Sequence, residues 1–140
     1  MGWEKSQPII FLMIFVKAMS EHYSNLIDAQ LKQCWHNSFR LLEFCPNAYY
    51  VEGWAKLSNG LVFEHGWNEL DNKIIDVTLV LTDNCLQDTI YQKGLRLNTE
   101  DAREMFYLAE GEFPLVNIFG KQGLAHNGYR NARDELIDSL

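Results

Sequence analysis

The chain has 140 residues, of which 47% are apolar and 22% are charged, and its net charge is −7. These values are typical of a single soluble domain, here residues 1–140, that is large enough to bury a core. The acidic balance argues against a surface for nucleic acid or for an anionic membrane. Three cysteines form neither a disulfide framework nor a CxxC pair, so reduced thiols and a cytoplasmic location are expected.

The N-terminal apolar run Pro8–Val16 provides an alternative for the location. Its nine residues are too few to span a bilayer. The run has the length of the apolar region of a signal peptide, and residues 1–18 would then direct secretion or export to the periplasm. Because the preceding segment holds only one Lys, balanced by one Glu, a buried core segment is the preferred interpretation.

A helical pattern is predicted from Ser24, a candidate N-cap, to Phe44. Its apolar residues recur at three- and four-residue steps: Leu26, Ile27, Leu31, Trp35, Phe39 and Leu42. The pattern fits one helix or two. One continuous helix would place Cys34 in its middle, whereas a break near Lys32 would place Cys34 in a first turn, where the helix dipole favours a thiolate.

An antiparallel meander of three strands is predicted next: Tyr49–Leu57, Gly60–Asn68 and Lys73–Leu81. Asn59-Gly60 predicts a type I′ turn that places Trp54 opposite His65. A four-residue loop over 69–72 would place His65 opposite Asp76, with Cβ atoms about 4.5–5.5 Å apart. A loop of Asp71-Asn72 alone would place His65 opposite Thr78 and lose this pairing, so the longer loop is preferred.

The remainder of the chain gives weaker patterns. A loop or short helix is predicted to about Tyr91, with a break at Lys93-Gly94. Asn98 is expected to cap a helix that ends near Ala109, because acids follow it at the positive end of the dipole. A short apolar stretch and a closing amphipathic helix are predicted last, at Phe113–Phe119 and Tyr129–Leu140.

Cys34, His65 and Asp76, in this order, are the side chains of a thiol nucleophile, a general base and an orienting acid. The bland alternatives are a buried helix cysteine, a strand histidine and a surface acid. Tryptophans are expected to line the site and exclude water, which strengthens the interaction of the base with the acid: Trp35, Trp54 and Trp67. Zinc binding by Cys34, His36 and His65 lacks a recognised spacing, so no metal and no cofactor are expected.

These motifs resemble the transglutaminase-like superfamily, a branch of the papain-like cysteine enzymes. The matching pieces are Gln33-Cys34-Trp35 around the nucleophile, His65-Gly66-Trp67 around the base and Asp76-Val77-Thr78 in the acid strand. Small uncharacterised bacterial and phage members pair a Cys-aromatic-x-Asn-small helix with a Tyr-Val-Glu-Gly-aromatic-Ala strand. Here these motifs begin at Cys34 and Tyr50, and the resemblance covers Lys32 to Thr78.

The resemblance implies an α+β, papain/transglutaminase-like fold, in which N-terminal helices pack on a small antiparallel sheet with C-terminal helices. It also implies a Cys-His-Asp triad in a cysteine-dependent amide or acyl hydrolase, or an acyl transferase, acting through a thioester. The Cys34 amide is the oxyanion donor by analogy, with Gln33 or Asn37 in support. The substrate class is a protein, a peptide or a small amide.

The resemblance implies thiol acyl chemistry and not protein crosslinking specifically. The intervals between the three motif residues are short for a protein-crosslinking transglutaminase, and a calcium site or further domains do not fit in the chain. The alternative function is a non-catalytic protein-binding module that keeps the fold. The sequence predicts no oligomeric state.

Overall fold

A computed structural model of the chain describes residues 16–119, 131 and 133–138. Nearly all of the N-terminal apolar run therefore lies outside the described residues. The predicted closing helix is described only at 131 and 133–138, and these residues are helical. Within the described ranges, no helix has both the length and the apolar character needed to cross a membrane.

Helices and one four-stranded antiparallel sheet make up the described part of the chain, which confirms the α+β class. The helices are α1 (16–27), α2 (Cys34–Phe44) and α3 (Thr99–Leu108). The strands are β1 (Tyr49–Lys56), β2 (Val62–Leu70), β3 (Lys73–Ile75) and β4 (Ile90–Leu97), and their order in the sheet is β3-β2-β1-β4. Short 3-10 turns lie at Leu79–Leu81, Leu86–Asp88 and Leu115–Phe119.

Two helices, rather than one, precede the sheet. Asp28 and Lys32 have φ angles of 51° and 63°, a left-handed backbone that no helix accommodates, and they separate α1 from α2. Cys34 is therefore the first residue of α2. The N-cap prediction for Ser24 was wrong, because Ser24 lies inside α1 and its hydroxyl donates to the Val77 carbonyl at 2.8 Å.

The first hairpin differs from its predicted register by one residue. The Leu57 amide donates to the Leu61 carbonyl at 2.9 Å and closes a loop of three residues, 58–60, with Gly60 at a φ of 89°. The strands pair Trp54 with Glu64 and Gly53 with His65. A one-residue slip moves a side chain to the other face of a sheet. Trp54 accordingly packs against the core cluster that contains Tyr50, so the prediction that Trp54 lies beside His65 was wrong.

The second hairpin has the short loop, Asp71-Asn72, whose φ angles of 52° and 63° suit a type I′ turn. Its register pairs Asn68 with Ile75, so the preferred four-residue loop was wrong. The predicted strand to Leu81 was also wrong, because β3 ends at Ile75. The shift of two residues nevertheless keeps Asp76 on the same side of the sheet as His65, since the side-chain period is two.

The segment predicted as a break at Lys93-Gly94 belongs to β4. Glu52 pairs with Leu95 and Gly53 pairs with Lys93, so Gly94 is the extra residue of a β-bulge. The prediction of a break was therefore wrong, because the glycine occupies a bulge within the strand and does not end it. The α3 prediction was confirmed: the Asn98 side chain accepts from the Asp101 amide at 2.8 Å, and the helix ends at Leu108.

Two apolar clusters fasten the helices to the sheet. The larger one joins α2, β1, β4 and α3, and its buried members include Leu42, Tyr50, Leu95 and Ala102. The smaller one joins α1 and α2 to the end of β3 through Ile27, Leu41, Ile75 and Val77. The smaller cluster therefore holds both N-terminal helices against the segment that carries Asp76.

Candidate active site

The structure brings the three predicted residues together beside β2. His65 lies on β2 and is 3% exposed, and Asp76, directly after β3, is fully buried. The His65 Nε2 atom is 2.7 Å from Asp76 Oδ2, and the Cys34 side chain is near enough to the ring to raise its pKa. Because Nε2 faces the acid, Nδ1 is the ring nitrogen left for the thiol. Base, acid and sulfur thus stand in the order that nucleophilic catalysis requires.

Asp76 is fixed by hydrogen bonds to both of its carboxylate oxygens. Oδ2 faces His65 Nε2 and accepts from the Tyr91 hydroxyl, each at 2.7 Å. Oδ1 accepts from the amides of Thr78 at 3.2 Å and Leu79 at 2.8 Å. These two backbone bonds turn the chain out of the sheet, and they explain why β3 is short.

The charges of His65 and Asp76 stabilise each other. Burial alone would lower the pKa of His65, but the Asp76 carboxylate and hydrogen bonds with Asp76 and Cys34 raise it to about 10. Burial alone would raise the pKa of Asp76, but the charge and hydrogen bond of His65, with the Leu79 amide and Tyr91, hold it below its ordinary value. The pair is therefore an imidazolium and a carboxylate at neutral pH.

Aromatic rings enclose the base. Phe63 meets the His65 ring edge-on with centroids 5.3 Å apart, and Trp67 stacks on it at 6.0 Å. Trp67 is 1% exposed, so it lines the site as predicted and keeps water from one face of the imidazole. Gly53 makes room for Trp67, since a Cβ atom at Gly53 would lie 2.8 Å from the Trp67 Cη2 atom.

The first turn of α2 lies directly on β2 beside the base. A Cβ atom at Gly66 would lie 2.6 Å from Trp35 Cδ1 and 3.2 Å from Trp35 Cα. Only glycine permits this approach of helix to strand, and it sets Cys34 next to His65. The Trp35 ring is thus part of the contact between α2 and β2, in line with its predicted place at the site.

The two candidate oxyanion supports are placed differently from each other. Gln33 is exposed at the N-cap position of α2 and makes no side-chain cap bond. Asn37 is 1% exposed, and its Nδ2 atom donates to the Gln30 carbonyl at 2.8 Å and to Thr78 Oγ1 at 2.9 Å. Both Asn37 donors are engaged, so Asn37 holds the acid turn against α2 and is not available to a substrate oxygen.

Sequence reasoning missed Tyr91 and Ser20. Tyr91 lies in a stretch that was not predicted to be a strand, and Ser20, whose Oγ accepts from the Asp76 amide at 3.0 Å, lies before the predicted helix start. Burial and the Asp76 charge raise the pKa of Tyr91 well above its ordinary range, so its hydroxyl remains a donor. An aspartate two residues before a threonine, inside a β-branched run, was the available signal for the turn at Asp76.

A second buried carboxylate lies outside the site. Glu52 is fully buried and accepts from the Tyr50 hydroxyl and from the amides of Leu115 and Val116. Burial raises its pKa above the ordinary value, against the opposing effect of these hydrogen bonds. Glu52 thereby ties β1 to the 3-10 turn at Leu115–Phe119 and plays a structural part.

The other candidate ligands and thiols lie apart from the triad. His36 is exposed and meets Phe113 edge-on, and Cys45 and Cys85 are free thiols, half-buried and exposed respectively. In the described ranges, no group of three or more His, Cys, Asp or Glu side chains is placed to hold a metal ion.

Comparison of the chain with models of known protein families, with curated proteins and with solved structures gave no match. The chemistry available to the site therefore has to be argued from its own residues.

Proposed function

We propose that the protein is a cysteine-dependent amide or acyl hydrolase, or an acyl transferase, of the transglutaminase-like type. The observation that carries the proposal is the buried His65–Asp76 pair at 2.7 Å with the Cys34 side chain beside the same imidazole. A buried acid that is paired with a histidine is compatible with a purely structural role. The thiol on the other side of the imidazole favours catalysis, because a nucleophilic thiol requires an adjacent base.

In the first half of the reaction, the Cys34 sulfur attacks the carbonyl carbon of an amide or ester. The carbon–sulfur bond forms, and the carbonyl electron pair moves onto oxygen. The Cys34 amide, at the first position of α2, is the proposed donor to this oxyanion, because the first N–H groups of a helix lack partners within it. The intermediate then collapses, His65 gives its proton to the leaving amine or alkoxide, and a thioester remains on Cys34.

In the second half, water or an acceptor amine attacks the thioester. His65 takes the proton of the attacking group, the carbon–sulfur bond breaks, and the thiolate returns beside the imidazolium. Asp76 keeps the Nε2–H of His65 in place through both halves, so Nδ1 always faces the sulfur. Hydrolysis and acyl transfer differ only in which acceptor reaches the thioester.

The first test measures the nucleophile without a substrate. The rate of Cys34 alkylation by iodoacetamide at pH 6 is followed by mass spectrometry in the parent, in His65→Ala and in His36→Ala. We expect rapid labelling that is lost in His65→Ala and retained in His36→Ala, since His36 is exposed and packs against Phe113. Slow labelling that is identical in all three proteins would overturn the proposal and leave a protein-binding module.

The second test measures acyl transfer to the sulfur. p-Nitrophenyl acetate should leave an acetyl group on Cys34, seen by mass spectrometry of the acid-quenched protein, and Cys34→Ser should carry none. The cysteines outside the site, Cys45 and Cys85, provide the internal control in the same spectrum. Equal acetylation of the exposed Cys85 and of Cys34 would argue against an activated nucleophile.

A further inference from the structure

Tyr91 contacts the carboxylate of Asp76 from the opposite edge of the sheet. It lies on β4, which is separated from β2 by β1, and it pairs with Ala55. Its hydroxyl nevertheless donates to Asp76 Oδ2 at 2.7 Å, the same oxygen that faces His65 Nε2. The small residues Gly53 and Ala55 lie on the intervening strand, so no large side chain of β1 obstructs the path of the tyrosine.

The ring of Tyr91 belongs to the aromatic enclosure of the base. It meets Trp67 edge-on with centroids 5.0 Å apart and lies 6.4 Å from the His65 ring. The packing of the ring therefore holds the hydroxyl in a fixed position. A hydrogen bond from a fixed donor restricts where Asp76 Oδ2 can lie, and the direction of that oxygen sets the direction of Nε2–H.

We propose that Tyr91 is a positioning residue of the site: its hydroxyl fixes Asp76 Oδ2 so that His65 keeps its proton on Nε2 and its Nδ1 atom toward Cys34. The inference rests on the proposed function, since it assigns a role within the same triad. It adds a fourth member to the line of contacts, which runs from the sulfur through the imidazole and the carboxylate to a phenol.

The alternative is that Tyr91 merely stabilises the fold. The chain itself offers a control for this, because the buried Tyr50 also donates its hydroxyl to a buried carboxylate, that of Glu52, outside the site. Tyr91→Phe and Tyr50→Phe each remove one tyrosine–carboxylate hydrogen bond and keep the ring. A purely structural role predicts similar losses of stability and similar alkylation rates for the two variants.

The experiment compares iodoacetamide alkylation of Cys34 from pH 5 to pH 9 in the parent, Tyr91→Phe and Tyr50→Phe, with urea unfolding as a check of folding. We expect Tyr91→Phe to slow alkylation about tenfold at pH 6, the effect on a rate of losing one hydrogen bond to a charged group. The pH profile of Tyr91→Phe should also move, while Tyr50→Phe retains the parent rate and profile. Parent-like alkylation in a folded Tyr91→Phe protein would overturn the inference.

Failure of this inference and failure of the proposed function give different results. If the parent labels slowly and His65→Ala changes nothing, the triad is inactive and both ideas fall. If the parent labels rapidly and depends on His65 but not on Tyr91, only the positioning role falls. Should Tyr91→Phe not fold, 3-fluorotyrosine at position 91 keeps the shape and strengthens the donor, and an unchanged pH profile would then count against the role.

Discussion

The replacement Asp76→Asn tests whether the site holds a buried ion pair, because it removes the charge and keeps the shape. The Asn oxygen can still accept from the amides of Thr78 and Leu79, which the carboxylate does through Oδ1. The new amide group then occupies the place of Oδ2 and points donors at His65 and Tyr91, which are themselves donors there. His65 must release a proton to accept at Nε2, and any remaining ring proton then lies on Nδ1.

The magnitude follows from burial. Asp76 is fully buried and His65 is 3% exposed, so the pair cannot exchange its partner for water. Removing one member of such a buried pair costs about 3–5 kcal/mol of the free energy of unfolding. The amide can keep two of the hydrogen bonds of the acid, so we expect a loss near the lower value, about 3 kcal/mol.

The same replacement should remove the activation of Cys34. A neutral imidazole with its proton on Nδ1 cannot take a proton from the thiol at that nitrogen, and it places no positive charge beside a thiolate. A positioned general base contributes about 100-fold or more to a rate. Alkylation by iodoacetamide at pH 6 should therefore fall by about 100-fold, and Asp88→Asn, at an exposed acid of a 3-10 turn, should change neither rate nor stability.

Urea unfolding and alkylation are measured on the same preparations at pH 6. An Asp76→Asn protein that unfolds within about 1 kcal/mol of the parent and labels at the parental rate would refute the reasoning. If Asp76→Asn loses stability but labels at the parental rate in the folded state, the result would support a buried ion pair and reject its role in activating the thiol.

Three further predictions concern pH, packing and the second buried acid. Because the pKa of His65 is raised to about 10, its contribution to stability is fully present below about pH 6.5 and is lost as the pH rises through 10. In urea unfolding, the difference in unfolding free energy between the parent and His65→Ala should therefore shrink between those pH values. Gly53→Ala should lower the melting temperature, at a cost of about 2 kcal/mol or more, because its Cβ would lie 2.3 Å from the Gln92 carbonyl oxygen. Gly60→Ala should cost less in the same melting experiment, because its strained φ of 89° is accompanied by open space around the Cβ position. The Glu52 carboxylate accepts three hydrogen bonds, and in Glu52→Gln the new NH₂ group would face at least one of these donors. The free energy of unfolding should therefore fall by about 1–3 kcal/mol, while Cys34 alkylation remains at the parental rate.

Helices α2 and α3 and the first two strands were predictable because their patterns are local. The apolar spacing of α2, the β-branched and aromatic residues of β1 and β2, and the Asn98 cap of α3 each depend on residues a few positions apart. The pairing of His65 with Asp76 was predicted correctly, but for a wrong reason. The hairpin loop has two residues rather than four, and the contact survives because Asp76 turns out of the sheet and keeps its side.

The remaining errors have long-range causes. The break between α1 and α2 depends on a left-handed backbone at Asp28 and Lys32, which no spacing of apolar residues reveals. β4 was missed because Gly94 occupies a bulge opposite β1, and a bulge is defined only by the partner strand. Tyr91 could not be assigned to the site from sequence, since its contact with Asp76 crosses a strand that lies between them in the sheet.

The hydrogen bonds that hold the turn at Asp76 link the proposed activity to the completion of folding. Ser20 and Ser24 of α1 bond to Asp76 and Val77 across 56 and 53 positions of the chain, and Asn37 of α2 bonds to Thr78 across 41. Contacts between such distant residues form only after the intervening segments have closed, which is slow compared with helix formation. Under the proposed function, the arrangement of Cys34, His65 and Asp76 that activates the thiol therefore exists only in the fully assembled protein.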